Sequence, residues 1–404
     1  MKILLINPTY DGIIVAPHLG LGYLSSGLKK NGHKVKILDG LREKIEYDPS
    51  EWDIVGVTAM STYFPECVQE VARAKAYGLK TIIGGPHVIC DPIQSLIDSG
   101  ADYAAIGEGE KTFNQLATGI PSAQVDGLAY WENGKAVMSK QSNEMIGKTE
   151  SGSTTFLMQK DIYTLQVGKL KREFQLDIDD FGMPDWESID PRSYKYEPHG
   201  MIIHARPMAP IITTRGCPYS CTYCSAPITA GKRMRTRDPH KVVDEIEMLV
   251  NKYGVKEIQI EDDNFTLVRE HCVAICEEIL KRNIKIVWSL PNGVRIDKLD
   301  KELLILMKKA GCVSMALGIE SANQRILDLI KKQLNKKVVR ETCKLISEVG
   351  IETTGFFMIG FPTETKEEIN NTINFAASLP IDRAHFTKVT PLPGTELFDL
   401  WVEK

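Results

Sequence analysis

Short apolar runs alternate with amphipathic helical segments twice along this chain, and that alternation most constrains the fold. In the first half, KILLIN (2–7), KVKIL (34–38), DIVGVTAM (53–60), KTIIGG (80–85) and DYAAIG (102–107) read as strands. Helical patterns fall at 18–32, 65–78, 91–99 and 110–118. From 209 the alternation restarts. Strands are predicted at 209–214, 256–261, 285–290, 313–319, 353–359 and 384–389, with helices at 239–253, 267–282, 300–310, 323–331, 336–349 and 365–379. A helix between every two strands is the crossover that parallel pairing requires.

The chain is therefore α/β. Its first half predicts a doubly wound parallel sheet of the Rossmann or flavodoxin kind, and its second a partial (β/α)6 barrel of the TIM type. Both architectures place ligands at the carboxyl ends of their strands. The predicted boundaries are 1–130 for the first domain, 131–207 for a linker, 208–398 for the barrel and 399–404 for the C-terminal end. The linker includes a hairpin, GLAYWENGKAVM, with Asn133 and Gly134 as its turn. Beyond the polar stretch SNEMIGKTESGSTT, DIDDFGMPDWESIDPRSY is rich in Asp, Pro and aromatics and is read as a wrap that packs by its rings.

Two or three domains suit 404 residues, and 43% hydrophobic with 25% charged residues is ordinary for a globular protein. A net charge of −4 gives no electrostatic case for nucleic acid or an anionic membrane. No apolar run approaches the roughly 18 residues of a spanning helix. Nine cysteines, an odd number with no signal peptide before the first strand, argue against a disulfide framework and point to the cytoplasm.

Three of those cysteines crowd one short loop, GCPYSCTYCSAP (216–227), as C-x3-C-x2-C: Cys217, Cys221 and Cys224. Three thiolates are one short of a structural zinc site or a four-cysteine cluster, and no second pair stands nearby in sequence. An unmetallated loop, zinc and an iron–sulfur site are the readings the residues leave open.

The motif resembles the signature of radical S-adenosylmethionine (SAM) enzymes, in which an aromatic, here Tyr223, precedes the last cysteine. In that family the three cysteines hold three irons of a [4Fe–4S] cluster. SAM chelates the fourth iron through its amino and carboxylate groups, and one electron cleaves it to methionine and a 5′-deoxyadenosyl radical. The resemblance covers 209–398. It implies that Glu261, Asp262 and Asp263, after the second barrel strand, hydrogen-bond the methionine ammonium. Ser289, Asn292 and Arg295 follow the third strand, and Arg295 pairs either with the SAM carboxylate or with a barrel carboxylate. Glu320 suits the ribose hydroxyls or the methionine end, and Ser321 is read as a cap for the next helix. GFFMIGFPTET (355–365) offers glycines to adenine, and TPLPGTELFD (390–399) a rigid edge.

The first domain is similar to the cobalamin-binding domain fused before such barrels. PHLGLGYLSS (17–26), with Leu19 and Gly20, matches a family element. The other shared features are carboxyl-end loops of small residues: Pro8, Thr9 and Tyr10; Ser61, Thr62 and Tyr63; Gly84, Gly85, Pro86 and His87; and Gly107, Glu108, Gly109 and Glu110. G-E-G-E is not a dinucleotide fingerprint. The first loop, NPTYDG, lacks the histidine that many cobalamin domains set under cobalt. A side chain such as Ser61, Thr62 or Tyr63, or a water, then shields the lower face. His87 is either an edge contact or a loop-capping residue.

The resemblance implies three cofactors: a [4Fe–4S] cluster, SAM and cobalamin. It implies a methyltransferase in which the methyl of SAM passes through methylcobalamin to an unactivated carbon or phosphorus of a small-molecule or peptide substrate. An external donor such as flavodoxin or ferredoxin would supply the electron. Ring closure, ring rearrangement or oxidation without methyl transfer is the alternative from the same family. An RNA methylthiotransferase fits less well, since only Cys67 and Cys90 stand in the first domain and no basic patch is evident. A non-catalytic cobalamin carrier would need no cysteine triad.

Overall fold

In the computed structural model, residues 1–10, 15–139, 155–159, 162–167, 170–194 and 202–402 are described. They group into two compact units: 1–197 with 228–231, and 198–227 with 232–404.

The first unit is built on seven strands. These are β1 (Lys2–Asn7), β2 (Lys34–Asp39), β3 (Ile54–Thr58), β4 (Lys80–Gly84), β5 (Tyr103–Ala105), β6 (Leu128–Glu132) and β7 (Lys135–Met138). Their order is 2-1-3-4-5-6-7. The first five run parallel, and β6 and β7 add antiparallel at one edge. Ile3, Leu4, Leu5 and Ile6 are all buried, because helices cover both faces of the sheet. The strand order reverses between β1 and β3, which fixes the switch point there. Helix Leu19–Lys30 starts at His18, whose ring accepts the Leu21 N–H, and Gly32 follows its end with φ +82°.

The hairpin turn forms at Asn133 (φ 50°) and Gly134 (φ 75°) as read, but β6 and β7 belong to the main sheet. The sheet thus runs to Met138, and the expected boundary at 130 falls inside a strand. The β5 edge offered unpaired backbone groups that the hairpin satisfies. The 131–207 segment is also more than a linker. It contains an antiparallel meander of β8 (Thr155–Gln159), β9 (Ile162–Val167) and β10 (Leu170–Gln175). Residues 174–194 then strap across the first unit, burying Phe174, Ile178, Trp186, Ile189 and Tyr194. Asp185 fastens this strap, pairing with Lys29 at 2.7 Å and accepting the Ser25 hydroxyl at 2.6 Å.

The second unit begins with β11 (Met208–Ile211), then a two-stranded ribbon of β12 (Thr214–Arg215) and β13 (Arg235–Thr236). Five more strands follow: β14 (Glu257–Ile260), β15 (Val287–Val294), β16 (Cys312–Glu320), β17 (Glu352–Ile359) and β18 (Arg383–Lys388). Six strands pair in parallel in the order 11-14-15-16-17-18. Strands β11 and β18 each have one neighbour in this sheet, so it is a partial barrel. The ribbon closes the base of the loop that carries the three cysteines.

Candidate active site

The cysteine loop leaves β12 through Gly216, whose φ of +98° a side chain would resist. Cys217, Cys221 and Cys224 are all partly exposed at the carboxyl end of the barrel. Backbone N–H groups of Tyr219 and Ala226 point at the sulfurs of Cys217 and Cys224. Burial pushes the Cys217 thiol up, and Cys224 up to about 12. Both therefore stay protonated until a cation draws the proton off. Among the described residues no three His, Cys, Asp or Glu converge on a point that one ion would fill. A cluster asks for something different, one thiolate per iron, and three thiols spread along one loop with N–H groups aimed at sulfur fit that demand.

Asp262 is not at hand for a ligand. Its carboxylate accepts the backbone N–H groups of Thr213 (2.7 Å) and Thr214 (3.0 Å) and the Thr213 hydroxyl (2.5 Å). It anchors the ribbon from behind, and burial pushes it up to about 6. Ser289 is also committed elsewhere. It is fully buried near the start of β15 and donates to Glu257, away from the carboxyl end. Glu261 and Asp263 do lie at that end. Burial raises Glu261 to about 7, while Asp263 is exposed and accepts the Gly216 N–H. Asn292 donates to the Glu261 carbonyl at 2.8 Å.

Of the two partners open to Arg295, a barrel carboxylate is the one it takes. Its Nε and Nη2 meet both oxygens of Asp297, at 3.0 and 3.1 Å, and Nη1 reaches the Lys332 carbonyl at 3.0 Å. The guanidinium lies 3.9 Å over the ring of Tyr219, between the first two cysteines. On the other side of the loop, the Tyr223 hydroxyl donates to Glu320 at 2.9 Å. Lys332 Nζ donates to the same Glu320 oxygen at 2.8 Å. Ser321 caps no helix; its hydroxyl takes the Asn323 N–H. In the GFPTET turn, Glu364 accepts the Gly360 and Phe361 N–H groups, and Gly360 (φ +88°) faces open space.

The first unit gathers its sequence-predicted residues at one sheet end, since all lie in loops after β1, β3, β4 and β5 or at the start of the first helix. Tyr10 stacks on Tyr63 with centroids 4.1 Å apart. Tyr63 is buried beneath it, while Ser61 and Thr62 are exposed. His87 takes the loop role, with Nδ1 3.0 Å from Ser61 Oγ and its ring stacked on Phe64. Gly85 serves the backbone, because a Cβ there would sit 2.7 Å from the Ala59 carbonyl. Glu108 accepts the Gln175 N–H. Gly107, at φ +92°, opens on free space. Pro8, Thr9, Leu19, Gly20, Gly84, Pro86, Gly109 and Glu110 complete the rim.

Three features went unread in the sequence. Asp39 is buried, accepting from Asn7 (2.9 Å) and Tyr194 (2.8 Å). His18 sits with Nδ1 on Leu21 N–H and Nε2 3.3 Å from the Thr58 hydroxyl. Burial keeps it neutral, and its Nδ1 lone pair is engaged in the cap. Lys332 is the third. It follows a short helix, and nothing in IKKQL marks one lysine as buried.

Residues 5–117 match the B12 binding domain, and residues 211–376 match the radical SAM superfamily. An uncharacterized methyltransferase of Pyrococcus horikoshii is 32% identical over 99% of this chain and 83% of its own length. The chain belongs to the radical SAM proteins with a B12-binding domain. Within this B12-binding radical SAM family, an anaerobic magnesium-protoporphyrin IX monomethyl ester cyclase of Cereibacter sphaeroides is 30% identical over 98% of the chain. The chain spans only 63% of that cyclase. Among solved structures, the radical SAM methyltransferase TsrM of Kitasatospora setae, with cobalamin and a [4Fe-4S] cluster bound, matches with a TM-score of 0.77. The match has 21% identity and covers 98% of this chain and 73% of TsrM, a likeness of fold. Among the described residues no helix is long and apolar enough to cross a membrane.

Proposed function

We propose that this protein is a methyltransferase that uses a [4Fe–4S] cluster, SAM and cobalamin to methylate an unactivated carbon or phosphorus of a small-molecule or peptide substrate. The observation that carries this reading is the three-cysteine loop at the carboxyl end of a barrel that follows a B12-binding domain, in a chain related over its whole length to a methyltransferase. When bound, these cofactors supply one-electron cleavage of SAM and a carrier for its methyl group. The chain's own residues position and exclude. Cys217, Cys221 and Cys224 would hold the cluster. Asp262 fixes the ribbon beneath it, and the Tyr219–Arg295 and Tyr223–Glu320 contacts hold the loop from two sides. Glu261, Asp263 and Glu320 present acceptors toward the SAM ammonium and ribose, and the turn after β17 leaves room for adenine. In the first unit, the loops around Tyr10, Gly85 and Gly107 would cradle cobalamin without a histidine ligand. An electron donor of the flavodoxin or ferredoxin class and a cytoplasmic setting complete the proposal.

The test is anaerobic turnover with methyl-labelled SAM. Labelled product, with S-adenosylhomocysteine and 5′-deoxyadenosine released together, supports the reading. Formation of 5′-deoxyadenosine with no methyl moved would replace it by the ring-closing chemistry for which the Cereibacter relative is named.

A further inference from the structure

The side chain that least fits an ordinary barrel is Lys332. It is 7% exposed, and two of its three donors are spent on a neighbouring phenol and carboxylate. Lysine is rarely buried unless paired, and removing one partner of a buried pair costs several kcal/mol, so such a group persists where the structure is built around it. This one is. Glu320 occupies the left-handed region at φ 68°, a strained conformation for a residue with a side chain. Strand β16 slips its register between Gly318 and Glu320 to turn that carboxylate inward. Gly318 leaves room for the pair, since a Cβ there would sit 2.8 Å from Lys332 Nζ and 2.9 Å from Glu320 Oε1 and displace one of them. The lysine also lies 3.3 Å from the Tyr223 hydroxyl, and Tyr223 separates Cys224 from the rest of the motif.

We propose that the Lys332–Glu320 pair, coupled to the cysteine loop through Tyr223, is a positioning device that sets the reduction potential of the cluster those cysteines would hold. The proposal rests on the functional reading above. Buried charge beside an iron–sulfur cluster is one of the protein's levers on its potential, through net charge and hydrogen bonding in a medium of low dielectric. A cation stabilises the more negative, reduced cluster, and an anion opposes it. The pair therefore holds two opposed contributions, and each can be removed alone. Tyr223 ties the pair to the loop, so geometry and charge act together.

The experiment is an EPR-monitored redox titration of the anaerobically reconstituted full-length protein without SAM, after iron and sulfide analysis. Lys332→Met should move the midpoint to more negative values, and Glu320→Gln should move it to more positive values. Lys332→Arg should stay near wild type, and the double variant Lys332→Met/Glu320→Gln should return toward it. Shifts of one sign for both single variants, or equal midpoints throughout, would overturn the proposal. Glu320→Gln keeps an acceptor for Tyr223 and guards against a Lys332→Met protein that fails to fold. Wild-type protein that takes up no iron would instead sink the functional reading, a separate failure.

Discussion

Thr213 has one hydroxyl and two buried neighbours. Its proton goes to Asp262, so the hydroxyl oxygen accepts from His271, whose Nε2 is 3.2 Å away. Burial drives the two titrating ends in opposite senses: Asp262 is raised to about 6, and His271 is lowered to about 4 with Arg237 adding to the effect. The folded state binds the Asp262 proton where the unfolded chain has released it, so that contribution is present at low pH and is lost as pH rises from 3.8 toward 6. The folded state refuses the His271 proton that the unfolded chain holds, so that contribution is present above 6.5 and is lost as pH falls toward 4. Each contribution is on the order of 3 kcal/mol. Between pH 4 and pH 6 the two slopes oppose. Asp262→Asn should therefore gain stability relative to wild type as pH rises through that window, and His271→Gln should lose it, each read from urea midpoints. Parallel slopes for the two variants would refute the relay. None of this was visible in IEDDNFT, where three adjacent acids looked equivalent. Which acid faces inward is decided by strand β14 and its ribbon, a long-range pairing. The cysteines, by contrast, were legible because their chemistry lies in adjacent spacing.

At the scale of elements, alternation was a faithful guide where helix and strand periods contrast sharply, and all eleven expected parallel strands formed. It was less so between 131 and 207. TFLMQ carries three apolar residues in a row and LKREFQ three charged ones, so neither shows the strict alternation of a half-buried strand, and the surrounding polar and acidic stretches masked them as a linker. The strap that follows depends on a glycine with no local signature. Gly22 lies inside a helix, where glycine costs about 1 kcal/mol against alanine. Its reason is contact: a Cβ would lie 2.6 Å from Ile189 Cδ1 and 2.9 Å from Pro184 Cβ. The Gly22 carbonyl also accepts the Asp185 N–H. Gly22→Ala should therefore destabilise the first unit by about 1–3 kcal/mol despite its better helix propensity. Amide exchange should accelerate at 184–189, with strands β14 to β17 unaffected. A protein stabilised by the change, or with unaltered exchange in the strap, would show that the helix and strap do not lock there.

For the whole molecule, the question is whether two sheets with separate cores also load their cofactors separately. Each unit has its own buried strands, and the residues proposed for each cofactor come from the loops of one unit: those after β1, β3, β4 and β5 for cobalamin, and those after β12, β14, β15, β16 and β17 for the cluster and SAM. The three cysteines are only partly buried, so trimming each side chain to a methyl opens no deep cavity. The triple variant Cys217→Ala/Cys221→Ala/Cys224→Ala should fold, with an unfolding midpoint close to that of the wild-type protein before reconstitution. It should take up no iron or sulfide, yet bind hydroxocobalamin with wild-type stoichiometry, followed by the visible absorption retained after gel filtration. Loss of cobalamin together with iron would mean that the carboxyl-end loops of the first sheet do not suffice to hold it. The assignment of Tyr10, Gly85 and Gly107 to that cofactor would then have to be withdrawn, whatever became of the cysteines.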